Sequence, residues 1–182
     1  MTYHVRVDAE TSYKFVSRPG VFGYGFYDEG ARALMEVAEF APGQSVLDLG
    51  CGVGTNGILA ARHIGPSGQI TFVDSNVRAI ALADLNAKAI GVANFRTVAS
   101  HALREVPEGA FDVILANPPY YAHGAIMQLF IERGKASLVP GGAFYLVTKQ
   151  VDTAWPLVQE HFGEPEMFEN RGYMIFRTRK PT

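Results

Sequence analysis

Cysteine is almost absent from this chain, which has a single one, Cys51, among 182 residues. One thiol cannot build a disulfide framework or a thiolate cluster for structural zinc, and it is typical of a reducing compartment. Long apolar runs are missing as well: no stretch reaches the ~18 residues that a bilayer span requires, and the chain begins without a basic-then-apolar leader. The histidines show no ligand spacing. These absences predict a cytoplasmic protein with no membrane segment and no metal.

An excess of positive charge is also lacking, since 16 Lys and Arg face 18 Asp and Glu. The field of the whole chain is therefore not that of a general nucleic-acid coat, although a local basic patch is compatible with these totals. Internal repeats and low-complexity tracts are absent too, which excludes solenoids and propellers. With 48% hydrophobic residues, a chain of this length is expected to form one domain with a sizeable core.

What the chain does contain is an alternation of two kinds of segment. Short apolar segments predict strands at Ser45 to Leu49, Gln69 to Val73, Phe95 to Ala99, Phe111 to Ala116 and Ala143 to Thr148. Amphipathic segments predict helices at Asp28 to Phe40, Thr55 to Ile64, Asn76 to Ile90, Ala122 to Leu138 and Asp152 to Phe162, the last capped by Asp152. Hairpins are predicted from Tyr3 to Val7 with Tyr13 to Ser17, and from Glu166 to Glu169 with Tyr173 to Thr178. The alternation predicts an α/β fold with a mostly parallel sheet and helices on both faces.

A glycine-rich loop follows the first strand of the predicted sheet. Gly52 to Gly57 match the G-x-G-x-x-G dinucleotide fingerprint, and Asp74 ends the next strand ~20 residues further on. Glycines let a ligand approach the backbone, and the helix N-terminus behind them offers free amides. This pattern alone does not separate a nicotinamide cofactor from S-adenosylmethionine.

Asp48 favours S-adenosylmethionine, because it lies two residues before Gly50, at the strand end inside the loop. A carboxylate there repels a pyrophosphate, but it attracts the ammonium and sulfonium groups of S-adenosylmethionine directly or through water. Asp74 is then expected to accept hydrogen bonds from both ribose hydroxyls. A simple loop-capping role for Asp48 is the alternative.

A second motif, Asn117-Pro118-Pro119-Tyr120, ends the fourth predicted strand. Two prolines stiffen the chain and remove two amide donors, which leaves the carbonyl of Pro118 and the side-chain carbonyl of Asn117 as acceptors for one planar amino group. Such acceptors favour a transition state in which positive charge develops on the nitrogen. The ring of Tyr120 suits stacking on a base. We therefore predict catalytic roles for Asn117, Pro118 and Tyr120; an ordinary turn is the alternative.

These motifs resemble class I S-adenosylmethionine-dependent methyltransferases, and more narrowly the ribosomal RNA small-subunit guanine-N2 methyltransferases of the "methyltransferase small" domain type. The resemblance rests on the two motifs above and on three further segments, Pro19 to Gly25, Asp28 to Ala31 and Asn170 to Tyr173. It implies a Rossmann-like seven-stranded sheet with an antiparallel last strand, and S-adenosylmethionine as the methyl donor with S-adenosylhomocysteine as product. We expect one domain over residues 1–182, with 1–27 as an N-terminal hairpin extension and 28–182 as the catalytic core.

The resemblance also implies which residues line the site, and it implies that Phe22 to Gly30 borders the donor pocket. Those expected to bind the cofactor are Asp48, Gly50, Cys51, Gly52, Gly54, Asp74, Ser75, Ser100, His101 and Asn117. Those expected to bind substrate are Phe22, Tyr120, Tyr121, His123 and Arg171. Where the family has Ser-Asp-Gly after the third strand, this chain has Ser100-His101-Ala102, so an adenine contact from His101 and a merely solvated histidine are both open.

The expected substrate is guanine N2 of ribosomal RNA, in naked RNA or in the small ribosomal subunit. Few basic residues support it: Lys14, Arg18, Arg171, Arg177, Arg179 and Lys180. Arg177 and Arg179 share a strand face and are interpreted either as phosphate contacts or as solvated edge charges. Three other methyl acceptors are possible interpretations: a glutamine amide of a protein, a DNA base or a small aromatic amine. Two other protein classes are also open, a noncatalytic RNA-binding relative and a nicotinamide dehydrogenase. The dehydrogenase has no evident use for the motif at Asn117, and intact Asp48 and Asp74 argue against the noncatalytic relative.

Overall fold

Strands and helices alternate along the chain as the apolar pattern predicts. The structure, a computed structural model, describes residues 1–120 and 124–182. The strands are β1 (Thr2–Arg6), β2 (Ser12–Val16), β3 (Ser45–Leu49), β4 (Gln69–Asp74), β5 (Phe95–Ala99), β6 (Phe111–Ala116), β7 (Leu138–Thr148), β8 (Glu166–Asn170) and β9 (Tyr173–Arg179). The helices are α1 (Glu29–Val37), α2 (Thr55–Ile64), α3 (Val77–Ile90), α4 (Ala125–Ser137) and α5 (Val151–Phe162).

Seven strands form one twisted sheet in the order β5-β4-β3-β6-β7-β9-β8. β3 pairs in parallel with β4 on one side and with β6 on the other, whereas β9 runs antiparallel to both β7 and β8. This confirms the predicted Rossmann-like sheet and its antiparallel last strand. Because the chain leaves β3 first towards β4 and later returns to β6, the carboxyl ends of β3 and β6 flank the topological switch point, where α/β proteins bind ligands.

Both faces of the sheet are covered, so neighbouring side chains on one strand enter different cores. On β9, Ile175 lies in the cluster formed with α1, α2 and α3, and Phe176 lies in the cluster formed with α4 and α5. Both side chains are fully buried. The strands are therefore apolar at successive positions, which is why they are recognisable in the sequence as continuous runs.

The N-terminal hairpin of β1 and β2 packs on the same core as the sheet. Tyr3 and Phe15 stack with ring centroids 5.4 Å apart and are buried against α2 and α3. The buried Asn86 side chain of α3 continues the hairpin's hydrogen bonding, since it accepts from the backbone N–H of Val16 at 2.8 Å and donates to the Val16 carbonyl at 3.0 Å. The hairpin predicted from the sequence is thus held to α3 by polar as well as apolar contacts.

Several predicted boundaries were wrong, among them the end of α1 and the starts of α5 and β7. α1 ends at Val37 instead of Phe40, because the backbone N–H of Glu39 turns away to donate to the buried Tyr145 hydroxyl at 3.2 Å. α5 begins at Val151 after Gln150, so Asp152 lies inside the first turn and is not the cap. β7 begins at Leu138, five residues early, because the Pro-Gly-Gly segment forms an irregularity within the strand rather than a turn before it. Among the described helices, none combines the length and apolarity needed to cross a membrane.

Candidate active site

The glycine-rich loop is pinned to the end of β4. The backbone N–H groups of Gly50 and Cys51 both donate to the Val73 carbonyl, at 2.8 and 2.9 Å. Gly54, the residue before α2, has φ of +85°, and a Cβ there would lie 3.0 Å from the Cβ of Ala83. A side chain at Gly54 would therefore be strained twice, by the left-handed backbone and by contact with α3. The loop keeps its backbone close to the cleft at the switch point.

Asp48 is the buried acid of the site, with 5% of its surface exposed. Its Oδ2 accepts a hydrogen bond of 2.8 Å from the backbone N–H of Gly57 in the first turn of α2. Its pKa is raised to about 7, chiefly by burial; the hydrogen bond from Gly57 opposes this rise, and the charge of Asp74 adds to it. The carboxyl therefore lies where a cation would favour its ionised form. It accepts from the first turn of α2 and also lines the smaller of the two cavities at the cleft.

Asp74 connects the loop to the start of α3. Its Oδ2 accepts from the backbone N–H of Gly52 at 3.0 Å, and its Oδ1 accepts from that of Asn76 at 2.8 Å. A carboxylate oxygen has two lone pairs, so each oxygen keeps acceptor capacity for a ligand hydroxyl. The two backbone bonds hold the carboxylate plane in place before any ligand arrives.

Asn117 is held by Asp28, which belongs to the segment that the resemblance places beside the donor pocket, although no role in orienting Asn117 was predicted for it. Its side-chain Nδ2 donates to Oδ1 of Asp28 at 3.0 Å, and the same oxygen accepts from the backbone N–H of Ala31 at 2.8 Å as the cap of α1. The amide nitrogen of Asn117 is therefore occupied, and its carbonyl oxygen is the end left for the cleft. The Asp28 carboxylate fixes the amide in the orientation that the predicted chemistry requires.

The rest of the Asn-Pro-Pro-Tyr segment is rigid. Pro118 is buried, and within residues 1–120 and 124–182 no donor hydrogen-bonds to its carbonyl. The Tyr120 hydroxyl accepts from the backbone N–H of Lys149 at 3.2 Å, which ties the ring to the end of β7. Partial burial raises the pKa of Tyr120, so its hydroxyl stays protonated near neutral pH. With 40% of its surface exposed, the ring presents a face to solvent beside the cleft.

Two adjoining cavities meet at Asn117, Gly50 and Phe22, which line both. The larger, about 420 Å³, is bordered by Asp74, Ser75, Ser100, His101, Pro119 and the apolar side chains of α4. The smaller, about 30 Å³, is lined by Asp28, Asp48, Cys51 and Asn56 among others. The larger cavity is mostly apolar with a few polar groups and the smaller is acidic. Gly52 and Gly54 lie behind this lining and shape the loop.

The segment after β5 places an acid that the family resemblance did not suggest. The buried hydroxyl of Ser100 donates to Glu105, and this hydrogen bond lowers the pKa of the Glu105 carboxyl. His101 is exposed at the rim of the larger cavity. Leu103 has φ of +58°, a strained value for a leucine, which turns the chain back after the short helix His101–Leu103. Glu105 was missed because it lies outside the three-residue motif where the family carries its acid.

Arg171 is placed away from the cleft. Its guanidinium pairs with Glu29 at 2.9 Å and with Glu36 at 2.9 Å, both on α1. Hydrogen bonds from Arg171 and Asn170 lower the pKa of Glu36 to about 2. The arrangement fastens the β8–β9 turn to α1, so it does not support the predicted substrate contact. Tyr121 and His123 lie outside the described residues.

The two C-terminal arginines are also engaged within the protein. Arg177 pairs with Glu39 at 2.8 Å and with Glu166 at 2.5 Å, so it is not a free phosphate contact. Arg179 donates to the Gly141 carbonyl at 3.2 Å. Across the two described ranges, no group of three or more His, Cys, Asp or Glu side chains is arranged to hold a metal ion.

Comparisons with known proteins agree with this geometry. The "Methyltransferase small domain" family model matches residues 12–177. "Ribosomal RNA small subunit methyltransferase C" of Chromohalobacter salexigens is 35% identical over 174 residues, and that of Pseudomonas paraeruginosa is 29% identical over 178. The matches cover 90% and 95% of this chain but 50% and 53% of those proteins, so the chain spans about half the length of its curated relatives.

A solved structure extends the likeness to the fold. A T. thermophilus 16S rRNA N2 G1207 methyltransferase, in complex with AdoMet and guanosine, has a TM-score of 0.88 at 27% identity. The match covers 99% of this chain and 50% of that one. Since the family model takes in nearly all of the chain and its two motifs border one cleft at the switch point of the sheet, the chain belongs to the methyltransferase small domain family.

Proposed function

We propose that this chain transfers a methyl group from S-adenosylmethionine to the exocyclic N2 of a guanine in ribosomal RNA. The observation that carries the proposal is the Asp28–Asn117 hydrogen bond of 3.0 Å, which leaves the Asn117 carbonyl as an acceptor where the two cavities meet. The names of the relatives support the substrate, as does the guanosine bound in the T. thermophilus structure.

The residues present fit the methyl donor. When bound, S-adenosylmethionine supplies an electrophilic methyl group on a sulfonium, and S-adenosylhomocysteine is the product. The acidic lining of the smaller cavity, Asp28 and Asp48, suits the donor's cationic groups, and Asp74 beside the larger cavity suits a ribose diol. The apolar side chains of α4 suit the adenine ring.

The chain's own part in the reaction is to orient the amine. The carbonyls of Asn117 and Pro118 accept its two N–H groups, and they bind more strongly as positive charge develops on nitrogen. Positioning the reacting atoms ~3 to 3.5 Å apart supplies several kcal/mol without a general base. Tyr120, tethered to β7, offers a stacking face for the base.

We also propose that residues 1–182 act as one domain, with 28–182 as the catalytic core and 1–27 as its extension. Phe15 and Tyr3 of the extension are buried in the core cluster, and the Tyr3 hydroxyl is 2.6 Å from the Thr55 hydroxyl at the start of α2. The extension therefore supports the smaller cavity, whose lining includes Tyr3 and Thr55.

Methyl-labelled S-adenosylmethionine, offered in parallel to bulk RNA, small ribosomal subunits and a protein extract, tests the proposal. We expect label in RNA, recovered as N2-methylguanosine after nuclease digestion. Label in protein alone, or in another nucleoside, would contradict it. Binding of NADH by calorimetry would point to a dehydrogenase instead.

A variant of Asn117 tests the division of roles. Asn117→Ala is expected to bind S-adenosylmethionine within about threefold of the wild type, but to lose methyl transfer by about 100-fold or more. Asn94→Ala, at a surface turn remote from the cleft, is the matched control and keeps both properties. Failure of the Asn117 variant to bind the donor would show that the amide serves the donor rather than the acceptor.

A further inference from the structure

Three aromatic side chains project into solvent from the segment between β2 and α1. Phe22, Tyr24 and Phe26, here called the aromatic rim, are 56%, 40% and 59% exposed. They alternate with Gly23 and Gly25. Large apolar side chains exposed at three alternate positions of one loop are unusual in an isolated protein and mark a binding surface.

The outward orientation of the rim is built into the backbone. The Gly25 N–H donates to the buried Ser17 hydroxyl at 2.9 Å, and the Asn76 side chain donates to the Gly20 carbonyl at 3.0 Å. Gly23 and Gly25 have φ of +77° and +82°, which other residues rarely adopt. Two hydrogen bonds and two left-handed glycines thus hold the aromatic rings outside the core.

The rim is continuous with the candidate active site. Phe22 lines both cavities and Phe26 lines the smaller one, whereas Tyr24 lines neither. A polymer whose target nucleotide enters the cleft would therefore pass its neighbouring nucleotides over Tyr24.

The charges around the rim favour an anionic partner. Arg18 precedes the rim. Arg78 lies close to it, since its Nη1 is 3.9 Å from the position that a Cβ on Gly20 would occupy. Both arginines are exposed, and in the ranges 1–120 and 124–182 neither has a carboxylate within 4.0 Å. Residues 18–27 include no acid. Exposed aromatic faces beside unpaired cations are the features that bind single-stranded nucleic acid, by stacking on bases and pairing with phosphates.

We propose that the aromatic rim, with Arg18 and Arg78, binds the single-stranded RNA that flanks the target nucleotide. The proposal rests on the proposed RNA substrate and adds the surface that receives the rest of the strand. Tyr24 stacks on a flanking base, and the two arginines contact phosphates.

Tyr24 is the residue to test because it lies outside both cavities. Binding of a fluorescein-labelled, unstructured oligoribonucleotide to the full chain is measured by anisotropy. Tyr24→Ala is expected to weaken binding roughly tenfold, and Tyr24→Phe to keep it within about twofold, because stacking needs the ring and not the hydroxyl. Leu85→Ala, an apolar truncation at a 46% exposed site on α3, is the matched control and leaves the affinity unchanged.

The salt dependence of RNA affinity distinguishes the role of the two arginines from that of Tyr24. Arg18→Ala and Arg78→Ala are each expected to reduce the slope of log K against log salt concentration by about 0.7, the value for one phosphate contact on a single strand. Tyr24→Ala leaves the slope as it is, because stacking releases no counterion.

Equal RNA affinity of the wild type and Tyr24→Ala would overturn the proposal, and so would a Tyr24-dependent association with anionic vesicles in place of RNA. Calorimetry with S-adenosylmethionine on the same proteins keeps the two proposals apart. A chain that binds the donor but not the oligoribonucleotide contradicts the rim, whereas a chain that binds no donor contradicts the proposed function.

Discussion

An amide side chain has two opposite ends, and at Asn117 a carboxylate decides which end faces the cleft. Without the Asp28 bond the amide is free to rotate and present its NH₂ group, which would repel an incoming amine. The sequence predicted Asn117 from its motif, but the pairing with Asp28 joins residues 89 apart in the chain. The family resemblance placed Asp28 beside the donor pocket, but nothing in the sequence linked it to Asn117.

Asp28 therefore has two separable roles, one in capping and one in positioning. Asp28→Ala should lose both: about 1 kcal/mol of stability, because the cap is removed, and about 10- to 100-fold in kcat, because Asn117 is no longer oriented. Asp28→Ser keeps a capping hydroxyl and is expected to lose kcat with nearly full stability. Urea unfolding and single-turnover methylation measure the two effects. Wild-type turnover in the serine variant would refute the positioning role.

The shifted pKa of Asp48 makes the folding stability of the protein depend on pH. Burial raises this pKa to about 7 in the folded state, against an ordinary value of 3.8. Between these two values the folded protein binds a proton that the unfolded chain does not, so this residue's contribution to stability falls as the pH rises from about 4 to 7. Asp48→Asn keeps an acceptor for Gly57 and removes the titration. We expect the variant to be more stable than the wild type at pH 8, on the order of 4 kcal/mol, and to match it below pH 4.

The same carboxyl should couple donor binding to protons. Because a bound cation favours the ionised form, S-adenosylmethionine is expected to bind more tightly at pH 8 than at pH 6 and to release a fraction of a proton near pH 7. Calorimetry in buffers of different ionisation enthalpy measures the release. Asp48→Asn should show neither effect, and proton release that persists in this variant would assign it to another group.

At the scale of elements, the sequence predicted the bounds that local patterns determine and missed those that contacts with distant residues determine. β3 and α2 have their predicted bounds because a glycine follows each of them, and β6 because Asn117 and two prolines end it. β5, an edge strand that is only partly buried, also has its predicted bounds. The end of α1 depends on the Tyr145 hydroxyl, a residue 106 positions away from Glu39. The start of β7 depends on pairing across Pro140 to Gly142. This sequence favours a turn, but hydrogen bonds of Gly141 and Gly142 with Lys180 keep the segment in the strand.

The close contact of α2 with β4 also requires a glycine at position 57. A Cβ at Gly57 would lie 2.4 Å from the ring of Phe72, which is fully buried. Gly57→Ala should therefore cost about 1 to 3 kcal/mol, although alanine favours a helix. Phe72→Leu in the same chain makes room, so the double variant is expected to be more stable than the two single losses add up to, by about 1 kcal/mol. Midpoints of urea unfolding give this cycle, and strict additivity would exclude the contact as the cause.

On the scale of the whole molecule, the place of the site was predictable and its borders were not. Strand order follows from the α/β alternation, and the switch point brings Asp48, Asp74 and Asn117 together. Whether a charged side chain faces the cleft depends on partners from distant segments. Arg171 and Arg177 were candidates for RNA contacts, yet α1 and β8 supply the carboxylates that engage them. The exposed aromatics between β2 and α1 alternate with glycines, a pattern that does not by itself predict an outward orientation.

A donor bound as proposed, against Asp48 at the end of β3 and Asp74 at the end of β4, is expected to stabilise the fold as a whole. At 100 times its Kd, S-adenosylmethionine is expected to add about 2.7 kcal/mol, which for a chain of this size raises Tm by roughly 5 to 10 °C. Asp74→Ala should remove this rise at the same concentration, because both ribose acceptors are lost. It also frees the N–H groups of Gly52 and Asn76, so its Tm without ligand is expected to fall as well. Asn117→Ala should keep the full rise, and NADH should produce none. A rise that survives in Asp74→Ala would place the ribose elsewhere in the cleft.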